Sequence, residues 1–310
     1  MGNAIYFTMN EHSIYYANCP SCGSDAIQNQ IQAIDYTVSK TSFDIWHCNN
    51  CTLRFTQSIP TAAYIGPYYQ SANYVSHSDT QKGLIHRCYH LVRSHTLHTK
   101  RKLVQKVTGL NTGALLDVGA GTGAFSKTMV NAGWSVTGLE PDDTARKNAL
   151  QINHIELKSA ETLYDMQAES FDAISLWHVL EHVHDLHGYL DQFHHILKPA
   201  GKLIIAVPNY TSYDASFYGS YWAAYDVPRH LYHFSPASIE QLANQKGFTL
   251  SCLQPMWFDS FYVAMLSEQY KNGKNNLLAA VWVGLVSNLK ALFNNKKASS
   301  VIYIMSKKQA

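Results

Sequence analysis

The stretch that most limits how this 310-residue chain can fold is Leu115-Leu116-Asp117-Val118-Gly119-Ala120-Gly121-Thr122-Gly123. A short apolar run ends in an acid, and three glycines spaced by two follow, ahead of a helix-like segment. This is the pattern of a buried strand that breaks into a loop tight enough for a ligand to lie against bare backbone. A dinucleotide-binding loop reads G-x-G-x-x-G and seats a pyrophosphate on the next helix N-terminus. This loop reads G-x-G-x-G and holds neither Arg nor Lys. The spacing points to a nucleoside without a pyrophosphate. Downstream, Trp134-Ser135-Val136-Thr137-Gly138-Leu139 predicts a second strand ending at Glu140, about twenty residues past the first glycine. A carboxylate there can accept both hydroxyls of a ribose.

The order of later blocks adds a third line of argument. Phe171–Trp177 predicts another strand, followed by His178-Val179-Leu180-Glu181-His182-Val183. Leu197-Lys198-Pro199-Ala200-Gly201 then leads into Lys202–Pro208. Taken in order, LDVGAGTG, GLEPDD, FDAISLWHVLEHV and LKPAGKLIIAVPN resemble the successive motifs of class I S-adenosylmethionine-dependent methyltransferases, over residues 95–250. The resemblance implies an α/β fold, a doubly wound, Rossmann-like, mostly parallel seven-stranded sheet. The alternation of strands and helices by itself predicts a doubly wound parallel sheet, with ligands at the carboxyl ends of its strands. The resemblance also implies that S-adenosylmethionine is held by Asp117, Gly119, Ala120, Gly121, Gly123, Glu140 and Pro141, then by Ser159 and Ala160, and by Trp177 and His178. Members of the family often carry an acid after the third strand for the adenine amino group. Ser159 and Ala160 stand there instead, which leaves that contact to backbone groups.

Four of the six cysteines form two C-x-x-C pairs, Cys19-Pro20-Ser21-Cys22 and Cys48-Asn49-Asn50-Cys51. Each pair can form a knuckle that turns two sulfurs toward one ion, so the pattern predicts a structural zinc held by all four. Ile31–Val38 and Ser42–Trp46 are the expected arms of the hairpin between them. A four-thiolate site is coordinatively closed, and no catalytic role is assigned to it. The rivals are unligated core cysteines and a redox pair, and no thioredoxin-like unit accompanies either C-x-x-C. Cys88 and Cys252 read as plain thiols.

A zinc ribbon raises a rival from another class, a nucleic-acid-binding protein whose methyltransferase domain acts on RNA or DNA. Residues 19–55 carry only Lys40 and Arg54 as cations, and the chain's net charge is +2, far from a polyanion-binding footprint. A small-molecule acceptor is expected. The first residues lack a basic region before a long apolar core, so they do not read as a secretory signal, and a cytoplasmic location is expected. Three regions follow: a zinc-ribbon module at 1–56, a linker and helical cap at 57–94, and the methyltransferase domain at 95–310. The aromatic-rich 56–82 segment, with Tyr64, Tyr68, Tyr69 and Tyr74, is placed to close over the cofactor. His86, His90, His95 and His98 read as solvated histidines of a helix face.

An apolar insertion is expected at about 256–299. Its segment Leu277–Val286, continuing to Leu292-Phe293, falls short of the roughly twenty residues that span a bilayer. It reads first as a buried helix, with an interfacial helix, a dimer face or a greasy acceptor site as alternatives.

Methyl transfer to an oxygen, or to a carbon beside a carbonyl, needs a base near neutrality, and histidine is the natural choice. Tyr221-Trp222-Ala223-Ala224-Tyr225-Asp226-Val227-Pro228-Arg229-His230-Leu231-Tyr232-His233-Phe234-Ser235 is dense in ionisable and aromatic groups and reads as a substrate lid. Similar methyltransferases carry a Pro-Arg-His-Leu-x-His-Phe block. His230 or His233 is the expected base, Tyr225 and Arg229 hold the acceptor, and His178 lines the pocket. The plainer reading pairs Arg229 with Asp226 to staple the loop. Sugar C-methyltransferases and ubiquinone-pathway O-methyltransferases share parts of this arrangement, and they frame the acceptor classes as a sugar or a lipid-linked metabolite.

Overall fold

The computed structural model describes residues 6–10, 12–70, 84–274 and 276–308, with 6–10 and 84–91 as backbone only. Tyr74 and the side chains of Leu84, His86, Cys88, His90 and Leu91 lie outside the described residues.

The N-terminal region is built of short strands: β1 Tyr6–Asn10, β2 Ser13–Tyr16, β3 Ile27–Ile34, β4 Ser42–Cys48, β5 Arg54–Thr56 and β6 Ile59–Pro60. The hairpin β3–β4 turns earlier than the sequence predicts, because Asp35 takes over the backbone after Ile34. Its carboxylate accepts the N–H groups of Thr37, Val38 and Ser39 and both of the hydroxyls of Thr37 and Ser39. A short acidic side chain that satisfies the next backbone donors favours a turn over a ladder, and Val38 falls in that turn.

The second region begins with α1, Leu84–Thr108, and alternates β7 Ala114–Val118, α2 Ala124–Val130, β8 Ser135–Leu139, α3 Asp143–Asn148, β9 Phe171–Trp177, α4 Leu186–Ile196 and β10 Leu197–Pro208. After α5 Tyr213–Tyr218 and the two-residue β11 Tyr232–His233 come α6 Pro236–Gln245, β12 Phe248–Pro255, α7 Asp259–Asn272, α8 Leu277–Phe293 and β13 Ser300–Lys307. The sheet order is β12-β13-β10-β9-β7-β8, with β8, β7, β9 and β10 parallel and β13 antiparallel between β10 and β12. Its inner strands are mostly apolar and buried, as a sheet covered on both faces requires.

The expected seventh strand is missing from the described sheet, which has six. The segment His154–Lys158, expected as the third strand, makes a single parallel bridge, Leu139 to Lys158. A π turn over Ala149–Asn153 runs on from α3 and stops at His154, whose φ is +54°. Beyond that bridge, residues 155–158 add nothing to the described sheet.

The two regions share a seam. β11 pairs antiparallel with β5, so the sheet of the N-terminal region reads β11-β5-β4-β3. Phe55 and Leu53 from one side and Leu231, Phe234 and Leu180 from the other belong to one buried apolar cluster. The block expected as a lid therefore contributes a two-residue strand, Tyr232–His233, to the cysteine module's own sheet.

The helix α8 departs from the buried reading. Ala280, Val283, Gly284, Ser287 and Ala291 are buried, and a Cβ on Gly284 would come within 2.6 Å of Phe261, which shows how closely α7 and α8 pack. The other face is open: Leu278 is 87% and Phe293 91% exposed. Among the described residues, no helix is long and apolar enough to cross a membrane.

Candidate active site at the carboxyl edge of the sheet

The glycine loop leaves β7 in a left-handed conformation three times, at Gly119 (φ +66°), Gly121 (+56°) and Gly123 (+73°). A side chain at Gly119 would also drive into Val179 at 2.4 Å, whereas at Gly121 nothing lies within 4 Å. The backbone of Gly121 thus faces open space. Glu140, at the end of β8, ties the loop down. Oε2 accepts Gly121 N–H at 2.8 Å and Oε1 accepts Asp142 N–H at 3.1 Å. Each oxygen keeps a second lone pair. Burial raises the Glu140 pKa, opposed by those two N–H groups. Pro141 follows on the same turn, and Asp142 caps α3 through Ala145 N–H.

Asp117 sits behind the loop. It is buried, and its two oxygens take the hydroxyls of Ser126 (2.7 Å) and Ser175 (2.9 Å), while burial pushes its pKa up to about 6. Asp117 fixes β7 and α2 and does not itself face the opening. Ser159 precedes a 3-10 turn over Ala160–Asp165, beside the Leu139–Lys158 bridge. Trp177 packs edge-on to Phe125 with the Lys100 ammonium over its ring, so it belongs to the α1/α2 side of the sheet.

His178, with φ +60°, swings its ring between two carboxylates. Nε2 lies 2.7 Å from Asp259 and Nδ1 3.4 Å from Glu181. Burial alone would strip its proton, but the two acids prevail and lift its pKa to about 10. An imidazolium has no lone pair to receive a proton, so His178 is not a base. It clamps the end of β9 to the start of α7.

The other two expected bases differ sharply. His233 is buried in β11. Thr56 donates its hydroxyl to His230 O at 2.7 Å and so must accept from His233 Nε2 at 3.1 Å. Desolvation holds the His233 pKa well below the usual histidine value. His230 donates Nδ1–H to Ala224 O at 2.8 Å, which leaves Nε2 as its lone pair, 4.0 Å from Asp226. Beside it His182 donates Nδ1–H to Arg229 O at 3.0 Å, near the Tyr69 hydroxyl, and also keeps Nε2 as a lone pair. Burial, then the neighbouring His230, brings the His182 pKa down to about 4. The two rings meet edge to face at 4.5 Å. A ligand atom from each of Glu181, His182 and His230 lies within 4.8 Å of the others, and neither Glu181 oxygen has a hydrogen-bond partner. Glu181 and His182 stand beside His178 in the sequence, His178 and His182 being four apart, and the resemblance favours His178 as a pocket wall; the structure instead groups Glu181 and His182 with His230 from a distant segment.

Arg229 does not hold an acceptor. It is 1% exposed, and its guanidinium is spent on Asp226 (3.0 and 2.6 Å), Asp35 (3.0 Å) and Tyr68 O (2.8 Å). This is the staple reading, enlarged to reach across the seam. Tyr225 is likewise buried, and its hydroxyl accepts from Arg54 at 2.9 Å. Arg54 also lies over the ring of Tyr210, which removes it from any phosphate-binding surface.

The four cysteines of the C-x-x-C pairs converge, with every sulfur within 4.8 Å of the others and with Cys19–Cys51 at 3.5 Å and Cys22–Cys48 at 3.6 Å. Four thiolates at about 2.3 Å from a tetrahedral zinc stand about 3.8 Å apart, so the cluster fits one ion after a small expansion.

Comparison with known proteins places this architecture. The methyltransferase domain family matches residues 92–253, more than half of the chain. The chain belongs to the S-adenosylmethionine-dependent methyltransferase family. It is similar to the human mitochondrial ubiquinone biosynthesis O-methyltransferase, 31% identical over an alignment of 163 residues, with 47% of this chain and 44% of that one covered. It is similar also to the demethylmenaquinone methyltransferase of Tropheryma whipplei (strain Twist), 31% identical over 150 residues, 46% of this chain and 62% of the relative. The chain thus spans less than two thirds of these relatives' lengths. A solved S-adenosylmethionine-dependent methyltransferase of Archaeoglobus fulgidus matches with a TM-score of 0.49 at 17% identity, over 69% of this chain and 94% of that one.

Proposed function

We propose that the chain methylates a small-molecule acceptor at the carboxyl edge of its sheet, with S-adenosylmethionine held by the loop Gly119–Gly123 and by Glu140. The observation that carries this reading is the loop itself: a left-handed backbone open at Gly121 and fastened to an acid with spare lone pairs. Pro141 and the backbone at Ser159 and Ala160 extend the same edge toward the adenine side, and His178 closes it toward the acceptor side. The cofactor supplies the methyl group from its sulfonium.

On the acceptor side we assign the base to His230, with His182 as its neighbour. Nδ1–H of His230 is held by Ala224 O, so its Nε2 can take the proton of an acceptor hydroxyl, or of a carbon beside a carbonyl, as that atom bonds to the methyl carbon. The imidazolium that results is stabilised by Asp226 and Glu181. His233 is better suited to a structural task, since its free nitrogen, Nδ1, is buried inside the β11 seam and desolvation holds the ring neutral. The ubiquinone and demethylmenaquinone names of the two relatives favour a lipid-linked quinone-type acceptor over a sugar, and the first of them names O-methylation. The four-cysteine cluster holds a structural zinc and contributes no chemistry. A nucleic-acid acceptor draws no support from the module, whose Arg54 is turned inward.

Titration calorimetry with S-adenosylhomocysteine tests the cofactor half. Glu140→Ala should weaken binding at least tenfold by removing the ribose acceptor, a loss of about 1.4 kcal/mol or more. Tight binding of NAD with no response to S-adenosylhomocysteine would overturn the proposal.

A further inference from the structure

We propose that α8 is a lipid-contact helix that lies along an anionic membrane surface. Leu278, Val281, Trp282, Leu285, Leu289 and Phe293 repeat at three- and four-residue steps, so they share one face, and each is at least 45% exposed. The opposite face, with Ala280, Gly284, Ser287 and Ala291, is consumed by packing inside the protein. The open stripe is therefore not a core face awaiting the fold. Its seventeen residues span about 25 Å, less than the roughly 30 Å of a bilayer core, which sets the helix along the surface and not through it.

Charge identifies the occupant. All 22 acidic residues of the chain precede residue 269, and from there on it carries seven lysines and no acid. Lys271 and Lys274 are exposed just ahead of α8, Lys290 is exposed near its end, and Lys296 and Lys297 are exposed just beyond it. A stripe of Leu, Val, Trp and Phe flanked by lysines suits the boundary of an acidic headgroup layer. A second copy of this chain would bring the same lysines face to face across a two-fold interface, which like-charge repulsion opposes.

The test is co-sedimentation of the full chain with vesicles of phosphatidylcholine and phosphatidylglycerol, against vesicles of phosphatidylcholine alone. The chain should pellet with the mixed vesicles and largely stay in solution with the neutral ones, and high salt should release it. Lys296→Ala/Lys297→Ala should weaken binding about thirtyfold. Leu278→Ser/Phe293→Ser should abolish it at an unchanged melting temperature, since both side chains are almost fully exposed. Absence of pelleting with the mixed vesicles, or equal pelleting of the Ser variant, overturns the proposal. So does a dimer in sedimentation velocity that those same substitutions dissolve, because the stripe would then be a contact between copies. S-adenosylhomocysteine binding by the Ser variant, measured alongside, keeps this result separate from the methyltransferase reading.

Discussion

Replacing Arg229 with Met separates two accounts of the Pro-Arg-His-Leu block, one in which it grips an acceptor and one in which it joins two parts of the fold. The guanidinium makes four hydrogen bonds, to Asp226 twice, to Asp35 and to the carbonyl of Tyr68, and it is 1% exposed. Breaking a buried ion pair by removing one partner costs about 3–5 kcal/mol, because the remaining charge is left uncompensated. Asp35 is protected from the full cost by five donors of its own turn, and Asp226 is partly open to solvent. The lower end, about 3 kcal/mol, is therefore expected. For a chain of this size that lowers Tm by about 5 °C. Arg229→Lys keeps the charge but cannot serve two carboxylates and a carbonyl with a planar fork, and it should lose about half as much.

The pH dependence carries the same signature. Burial works against ionisation of Asp35, but the Ser39 N–H, the Thr37 hydroxyl and Arg229 together hold its carboxyl below the usual range. A depressed carboxyl pKa stabilises the fold above the unfolded value near 4, and the benefit fades as pH falls through the folded value. The gap in Tm between wild type and Arg229→Met should accordingly be full at neutral pH and shrink below about pH 4. Differential scanning calorimetry from neutral to acid pH measures it. A variant that melts within about 1 °C of wild type, yet needs at least tenfold more acceptor for half-maximal rate, would refute the staple and restore the clamp.

His230→Asn should lower kcat about a hundredfold while S-adenosylhomocysteine affinity stays nearly unchanged, as loss of a general base does. His233→Asn should instead show its main effect in thermal melts, and equal kcat losses in both variants would show that the free Nε2 of His230 is not the deciding feature. Cys48→Ser should remove about one zinc per chain by metal analysis and lower Tm, with cofactor affinity largely kept. Fully folded, metal-free wild-type protein would exclude the zinc.

Much of this arrangement is legible in the chain because it rests on local chemistry. Gly119, Gly121 and Gly123 announce a left-handed loop, Glu140 stands where an acid can fasten it, and two C-x-x-C pairs announce a cluster of sulfurs. The failures share another cause. Arg229 and His178 are identified by partners 194 and 81 residues away, Asp35 and Asp259, and no local pattern records such pairings. The third strand differs in another way: Ile155–Lys158 has strand-like alternation, but the helical turn before it runs to Asn153 and the chain leaves it through a left-handed His154, and only Lys158 pairs with β8. The open face of α8 was hidden because the segment is apolar all round, and periodicity cannot tell a helix buried on both faces from one buried on a single face.

The seam gives the sulfur cluster a bearing on the active site that its closed coordination would otherwise deny it. Leu53, two residues beyond Cys51, accepts the backbone N–H of Cys48, and β5 begins at the next residue. From β5, Thr56 donates its hydroxyl to the carbonyl of His230 and its N–H to that of Leu231, while Leu231 N–H reaches back to the carbonyl of Glu181. The backbone that carries His230 is thus suspended between the cysteine module and the end of β9. An ion that fixes Cys48 and Cys51 fixes β5, and β5 sets where the Nε2 of His230 stands relative to His182. A lid free to move would have placed its histidines by its own loop conformation. Here two separate regions of the sequence hold them, which suits a reaction whose rate depends on aligning an acceptor atom with a sulfur–methyl bond.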